Sequence, residues 1–142
     1  MKNNQIIVVD SGIGNLASVV NMIQKIGGEA KISSSLDEIR QAQKLVLPGV
    51  GSFDAGIIAL KERSLDIAVK SAVKENGSLL LGICLGMQLL FDSSEEGSLP
   101  GLGLIPGHVC YFQLKDEKLR VPHMGWNIVK PKRSSILFDI ED

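Results

Sequence analysis

The sequence predicts an α/β fold with a mostly parallel sheet, and two observations support this prediction. Short apolar runs alternate with segments whose apolar residues recur at helical spacing, beginning with residues 6–9 and the stretch after them. The runs are continuous rather than alternating, which is typical of strands buried on both faces of a parallel sheet. Because 142 residues with 44% hydrophobic residues suffice for one packed core, we expect a single domain over residues 1–142.

The first two strands and helices follow directly from these patterns. Residues 6–9 form an apolar strand, and residues 29–33 are predicted to form a second one. Ser35 precedes a short helix and is a suitable N-cap. The helix between the two strands has one apolar face formed by Leu16, Val19, Val20 and Ile23.

The next strands enclose a long helical segment. Residues 44–47 are a third strand, ended by the Pro-Gly-Val-Gly turn of residues 48–51. Helical periodicity runs from about residue 54 to residue 75, and Asn-Gly at residues 76–77 closes it. Residues 78–83 follow as the fourth strand, and their apolar run predicts burial.

The last third of the chain has a different character. Residues 93–103 are loop-like, residues 108–114 alternate as a strand, and residues 128–129 suit another short strand. We expect these segments to be antiparallel additions on one edge of the parallel sheet.

The fourth strand leads into the most informative motif, Gly82-Ile83-Cys84-Leu85-Gly86. A cysteine between two glycines at a strand-to-helix junction has the pattern of a nucleophile elbow, with Cys in place of Ser. The glycines lack the Cβ atoms that would clash in so tight a turn. A helix N-terminus beside the thiol favours thiolate, the attacking species. The alternative is a small buried core cysteine.

Three glycine-bearing loops are expected to meet at one edge of this sheet. Sites in open α/β sheets lie at the carboxyl ends of the strands. Residues 11–15, residues 48–51 and the elbow each follow a predicted strand. The sequence therefore predicts that the site is assembled there.

Charge and composition exclude several classes of partner. The formal net charge is −1 with no block of like charge, so neither nucleic acid nor a membrane is expected as a partner. Two cysteines make no disulfide framework and suit a reducing cytosol. The N-terminal apolar run is too short for a signal peptide, and no segment has the length of a membrane span. We expect a soluble, cytoplasmic protein.

Five motifs resemble class I glutamine amidotransferases. Their order and spacing resemble those of the glutaminase subunits of imidazole glycerol phosphate synthase, in histidine biosynthesis. The motifs are DSGIGNLASV (10–19), LPGVGSF (47–53), GICLGMQLLFDSSEEG (82–97), GLGLIPGHV (101–109) and VPHMGWN (121–127). The resemblance implies a three-layer amidotransferase fold whose C-terminal part is missing here.

The resemblance implies that Cys84 attacks the side-chain carboxamide of glutamine, forms a thioester and releases ammonia. Elbow geometry makes the backbone N–H of Leu85 one oxyanion donor. The family implies that the turn around Val50 and Gly51 supplies the second donor, where glycine would permit a peptide flip. Without the resemblance, this turn is simply the end of a strand.

Three further residues are candidates for binding glutamine. Gln88 lies four residues beyond Cys84, on the same helical face as the thiol. Glu96 resembles the family position that holds the amino-acid end of glutamine, and Gly49 belongs to the same predicted pocket. Without the resemblance, Glu96 is a solvated loop charge.

The chain departs from the family pattern in its general base. Related subunits carry a later His-Pro-Glu segment that completes the catalytic triad, and residues 1–142 contain no such segment. The histidines present, His108 and His123, match other motifs. We therefore expect this 142-residue form to be nearly inactive by itself.

The resemblance also implies a partner. In the family, the glutaminase forms a heterodimer with a (β/α)8 cyclase subunit, and the cyclase consumes the ammonia. Pro122, Met124 and Trp126 alternate and would share one face of an extended interface segment, and Asn15 is a second interface candidate. The alternative for the alternating residues is an inward-facing core strand. No cofactor and no metal are implied.

Two other functions stay open at this stage. One is an amidotransferase paralogue that feeds ammonia to a different synthase. The other is a non-catalytic docking module that binds the cyclase.

Overall fold

A computed structural model describes residues 5–113 and 125–131. The chain divides into two units, Met1–Tyr111 and Phe112–Asp142. In the first unit, four parallel strands form one sheet in the order β2-β1-β3-β4. These strands are β1 (Ile6–Val9), β2 (Ala30–Ser33), β3 (Lys44–Gly49) and β4 (Leu79–Cys84).

Helices connect these strands, as the alternating pattern predicts. They are α1 (Leu16–Lys25), α2 (Leu36–Gln41), α3 (Phe53–Glu62) and α4 (Leu65–Lys74), and α5 (Leu85–Gln88) follows β4. A separate two-stranded ladder joins β5 (Ser93–Ser94) and β6 (His108–Val109). The prediction of an α/β fold with a mostly parallel sheet is confirmed.

The core lies on one face of the sheet. Alternate residues of β1 and β3 point into it, and α2, α3 and α4 cover them with their apolar faces. The fully buried side chains include Ile7, Val9, Leu45, Leu47, Ile39, Phe53, Ile57, Leu60 and Leu65.

Local polar contacts place the helix ends where the sequence predicts them. Ser35 Oγ accepts a hydrogen bond from the Glu38 backbone N–H at 3.4 Å, and Asn15 Oδ1 accepts one from Ser18 at 3.3 Å. These contacts satisfy first-turn amides that have no partner within the helix. Gly77 has φ +69° after α4, a conformation that glycine adopts without a Cβ penalty.

The predicted helix over residues 54–75 is wrong in one respect, because it is two helices. Ser64 has φ +56° and separates α3 from α4. Both helices bury one apolar face, which includes Leu60 near the end of α3 and Leu65 at the start of α4. Neither glycine nor proline lies at this turn, so the sequence carries no breaker signal there.

The prediction that β4 is a buried strand is also wrong. Leu79 is 65% exposed and Leu81 is 51% exposed, and Ile83 on the same face is exposed as well. Leu80 points to the opposite face and packs against the core. Within the described residues, β4 is an edge strand, and no helix covers its second face.

This open face continues into an apolar groove of about 360 Å³ beside α1. The helix packs on β1 and β2, so it shields only part of the sheet. The groove is lined by Val19, Met22, Ile23, Val46, Leu81 and Ile83 among others. The described part of the chain therefore has one packed core and one half-covered sheet face.

The later strands differ from the prediction. The β5–β6 ladder is parallel rather than antiparallel, with Ser93 opposite His108. The strand predicted over residues 108–114 is limited to β6, and residue 114 lies outside the described part. No strand forms at residues 128–129 within the described stretch of 125–131.

Asp54, in the first turn of α3, holds the loop that follows β5. Its carboxylate accepts hydrogen bonds from the backbone N–H groups of Ser98 and Leu99 at 3.0 Å and from Ser98 Oγ at 3.1 Å. The bond from Leu99, followed by those from Ser98, lowers the pKa of Asp54 below its ordinary value. Asp54 thus joins the start of α3 to the segment containing Glu96.

The longest described helices have ten residues, and none of the helices in the described part is a candidate for crossing a membrane.

The one-sided core gives a matched pair of leucine substitutions. Leu60→Ala should lower the free energy of unfolding by about 2–5 kcal/mol, because Leu60 is fully buried. Leu81→Ala should cost about 1 kcal/mol or less, because half of that side chain is already in water. Urea denaturation of both variants measures the difference. Equal losses would contradict the assignment of the second sheet face as open.

The Asp54 contacts predict a pH-dependent contribution to stability. A carboxyl whose folded pKa is lowered stabilises the fold above its unfolded pKa of about 3.9 and loses this effect as the pH falls through the folded value. Asp54→Asn should therefore be less stable than the parent chain at pH 7. The difference should shrink toward zero between about pH 5 and pH 2.

Thermal unfolding of both chains across this pH range tests the prediction. Asp37→Asn is the matched control, because Asp37 is an exposed first-turn aspartate of α2 whose carboxylate accepts no backbone N–H in the described hydrogen bonds. If the difference in stability between Asp54→Asn and the parent chain did not change with pH, the Asp54 carboxylate would not be the stabilising group.

Candidate functional site

The cysteine of the elbow lies at the junction of β4 and α5. Cys84 has φ +55° and ψ −120°, and it is one of two non-glycine residues with positive φ in the described residues. Its thiol is free and exposed. Strained backbone of this kind costs about 1–3 kcal/mol and persists where the surrounding structure imposes it. The buried core cysteine considered as the alternative is therefore wrong.

Both elbow glycines are required by close contacts. A Cβ on Gly86 would lie 1.8 Å from the carbonyl oxygen of Leu47, and a Cβ on Gly82 would lie 2.5 Å from Cα of Met87. Real Cβ atoms essentially never come within 3.0 Å of such atoms. The turn that presents Cys84 can therefore be built only with glycine on each side.

The helix after the thiol is shorter than the sequence suggests. Helix α5 is one turn, Leu85–Gln88, and irregular turns follow it. The macrodipole of a long helix is consequently not available to Cys84. The elbow does provide an exposed thiol, and the residue that follows it, Leu85, contributes the next backbone N–H.

The Pro-Gly-Val-Gly turn lies beside the elbow. Gly49 pairs with Cys84 in the β3–β4 ladder, and a Cβ on Gly49 would lie 2.9 Å from the backbone nitrogen of Gly86. Val50 follows and is exposed. Gly51 has φ +98° with nothing within 4 Å of a Cβ position, so this peptide has open space around it.

The first glycine loop completes the predicted edge. A Cβ on Gly14 would lie 3.7 Å from Cβ of Pro48 and 3.8 Å from the nitrogen of Gly49. Asn15 is exposed at the start of α1. The prediction that the three loops meet at the carboxyl ends of the strands is confirmed.

The predicted glutamine-binding residues lie on three segments, with Gly49 at the end of β3. Gln88 is partly buried on α5, and Glu96 is exposed in the loop after β5. The Glu96 backbone N–H donates to Ser94 Oγ at 3.1 Å. Two residues further along, the Ser98 backbone N–H donates to the Asp54 carboxylate. Sequence reasoning missed Asp54, because an aspartate in the first turn of a helix is ordinary.

The sequence analysis also named two histidines and a predicted interface segment. His108 pairs with Ser93, whose Oγ lies 2.7 Å from Nδ1. Pro122, Met124 and His123 lie outside the described residues. Trp126 belongs to the second unit and is fully exposed there.

Comparisons with known proteins agree with this geometry. The family model described as "Glutamine amidotransferase class-I" matches residues 7–141. A solved structure titled "Crystal structure of glutamine amidotransferase" superposes with a TM-score of 0.62 at 23% identity, covering 78% of this chain and 59% of that chain. At this identity, the likeness shows the fold alone.

Curated relatives are more similar in sequence. "Imidazole glycerol phosphate synthase subunit HisH 2" of Methanococcus maripaludis is 53% identical over 126 residues, covering 88% of this chain and 61% of the relative. The protein of the same name from Pseudomonas aeruginosa is 46% identical over 127 residues, covering 89% and 62%. "Imidazole glycerol phosphate synthase subunit HisH" of Prochlorococcus marinus is 43% identical over 140 residues, covering 99% and 65%.

The chain thus spans about three fifths of the length of the curated relatives it matches. The family match extends over almost the whole chain and includes the elbow, the glycine turn and the Glu96 loop. This chain belongs to the class I glutamine amidotransferase family.

Proposed function

We propose that this chain supplies the nucleophile of a glutaminase that releases ammonia from glutamine for a cyclase subunit in histidine biosynthesis. The observation that carries the proposal is Cys84, a free, exposed thiol on a strained elbow between two obligatory glycines. The names of the curated relatives support the pathway, since each is a subunit of imidazole glycerol phosphate synthase.

In the proposed reaction, the Cys84 sulfur attacks the side-chain carbonyl carbon of glutamine. A tetrahedral intermediate forms, its oxyanion accepts hydrogen bonds, and the C–N bond breaks to leave a thioester and ammonia. The backbone N–H of Leu85 and the peptide at Val50 and Gly51 are the proposed donors. Water then hydrolyses the thioester to glutamate and regenerates the thiol.

The binding of glutamine is assigned to residues of three segments, which are the end of β3, helix α5 and the loop after β5. Gln88 and Gly49 line the proposed pocket near Cys84, and Glu96 holds the amino-acid end of the substrate. The Asp54 contacts support this assignment, because they restrain the loop that carries Glu96. A restrained loop loses less conformational entropy when substrate binds.

The proton transfers require a general base, and residues 1–142 contain no His-Pro-Glu segment of the kind that the family resemblance implies for this role. The departing nitrogen must gain a proton, and the attacking thiol must lose one. His108 is paired with Ser93 on the β5–β6 ladder. We therefore propose that turnover needs a base from outside these residues, and that this 142-residue form is nearly inactive by itself.

The proposed partner is a (β/α)8 cyclase that receives the ammonia as the other subunit of a heterodimer. Trp126 is fully exposed, and exposed tryptophan is typical of interface anchors. Pro122, Met124 and Asn15 are the further proposed interface residues. A docked partner would also keep ammonia from escaping to water.

Thiol reactivity tests the nucleophile. Cys84 should be alkylated by a glutamine-shaped chloroketone faster than Cys110, because only Cys84 lies beside the proposed pocket. Both thiols are exposed, so Cys110 is an internal control for access. Digestion with a glutamate-specific protease cuts between the two cysteines, at Glu95 and Glu96, and mass spectrometry of the separated peptides then gives the two rates.

Iodoacetamide provides the matched reagent, because it lacks the shape of glutamine. The ratio of Cys84 to Cys110 labelling should be lower with iodoacetamide than with the chloroketone. Equal ratios with the two reagents would argue against a glutamine pocket at Cys84.

Ammonia release from glutamine by the same sample should be at background, since general acid–base catalysis contributes about 10²–10⁴-fold.

Trp126→Ala tests the partner. Loss of an aromatic anchor costs about 2 kcal/mol or more at an interface hot spot, so affinity for the cyclase should fall by roughly 30-fold or more. Isothermal titration calorimetry with the purified cyclase measures this. Ile67→Ala, at another large exposed apolar residue in the first unit, is the control and should bind as the parent chain does. Normal binding by Trp126→Ala would remove this residue from the interface.

A further inference from the structure

Three side chains with metal-ligating atoms come together beside the β5–β6 ladder. They are Glu95, His108 and Cys110, and their ligand atoms all lie within 4.8 Å of one another. Glu95 follows β5, His108 begins β6, and Cys110 follows β6. From these contacts we infer that this cluster is a binding site for Zn²⁺ distinct from the Cys84 elbow.

The donor set matches the chemistry of zinc. Zinc binds thiolate sulfur, imidazole nitrogen and carboxylate oxygen with bonds of about 2.0–2.3 Å. Calcium and magnesium select sites built from oxygen alone, so a set with one sulfur and one nitrogen disfavours them. Three protein ligands leave a fourth tetrahedral position, which water can fill.

The backbone brings the ligands to one place. The ladder pairs Ser93 with His108 and Ser94 with Val109, and the Glu95 N–H donates to the Val109 carbonyl at 2.9 Å. His108 and Cys110 are two residues apart, the spacing that returns a side chain to the same face of an extended segment. The parallel pairing of β5 and β6 thus brings Glu95 next to a His-x-Cys pair 13 residues further along the chain.

Neighbouring groups orient two of the three ligands. Ser93 Oγ lies 2.7 Å from Nδ1 of His108, and a hydrogen bond from Nδ1–H to Ser93 leaves the lone pair of Nε2 for the metal. The Tyr111 backbone N–H donates to Oε2 of Glu95 at 2.6 Å, which leaves Oε1 for the metal. Such outer contacts are the usual means of orienting metal ligands.

Only small side-chain movements are needed to close the site. Ligand atoms on tetrahedral zinc are about 3.3–3.8 Å apart, the separation that follows from these bond lengths. All three side chains are exposed, so their torsions can change without disturbing the core. Binding would release the thiol proton of Cys110 and give a site whose carboxylate and thiolate balance the metal charge.

Metal titration of the 142-residue chain tests the inference. Co²⁺ is the spectroscopic probe, and a thiolate-to-cobalt charge-transfer band should grow to one equivalent in the parent chain and in Cys84→Ser. The band should be absent in Cys110→Ser. Zn²⁺ affinity, measured by competition with a chromophoric chelator, should fall by at least tenfold in His108→Ala and Glu95→Gln. Loss of an outer partner alone typically costs about 10–100-fold.

Two matched variants separate this site from the rest of the chain. Glu96→Gln alters the neighbouring carboxylate and should leave Zn²⁺ affinity unchanged, whereas Glu95→Gln should not. Excess Zn²⁺ should protect Cys110 from iodoacetamide and leave Cys84 reactive. Equal Zn²⁺ affinity in Cys110→Ser and Cys84→Ser, or protection of Cys84 instead, would overturn the inference. Circular dichroism of each variant shows whether it is folded, and the protection experiment needs no variant.

Discussion

The close contact between the elbow and the end of β3 is the constraint on which the rest of the site depends. Gly86 lies so near the Leu47 carbonyl that no side chain fits between them. This contact fixes where the chain can turn after β4, and it forces Cys84 into its positive-φ conformation. Leu85 and Leu89 are buried immediately after the turn, so their packing offsets the strain at the cysteine. The nucleophile is presented by a turn that is anchored in the core.

The core helices also support the site. Helix α3 begins just after the glycine turn and packs against α5, where a Cβ on Gly56 would lie 3.0 Å from Leu89. The glycine turn and the elbow are therefore held together from both ends, by the ladder between β3 and β4 and by contact between the following helices. The opposite sheet face, beside α1, is only half covered in the described residues. Leu85 and Leu89, which pack behind the elbow, belong to the core on the covered face.

Much of the fold and part of the site could be predicted from sequence. Apolar runs identified three of the four strands of the sheet, β1, β3 and β4, and side-chain caps such as Ser35 marked a helix start, because both signals are local. The elbow was predicted from two glycines and a cysteine, because a turn this tight has no room for a Cβ on either side of the nucleophile and this requirement is visible in the residue types. The exposure of Leu81 was not predictable, because a strand at the edge of a sheet and one at its centre can have the same apolar run. The break at Ser64 was not predictable, because neither glycine nor proline lies at this turn to indicate it.

The Asp54 contact and the Glu95, His108 and Cys110 cluster were missed for a different reason. Each joins residues that are far apart in sequence. Residues 93–103 were predicted to be a loop and the later strands to be antiparallel, so the parallel pairing of β5 with β6 was not predicted. These contacts are polar and exposed, whereas the elbow depends on apolar packing. Acid neutralises the Asp54 carboxylate that holds the Glu96 loop but leaves the contacts of Leu47, Leu85 and Gly86 intact. The two halves of the proposed pocket therefore rest on different forces, and low pH should loosen the substrate-holding loop before it disturbs the position of the nucleophile.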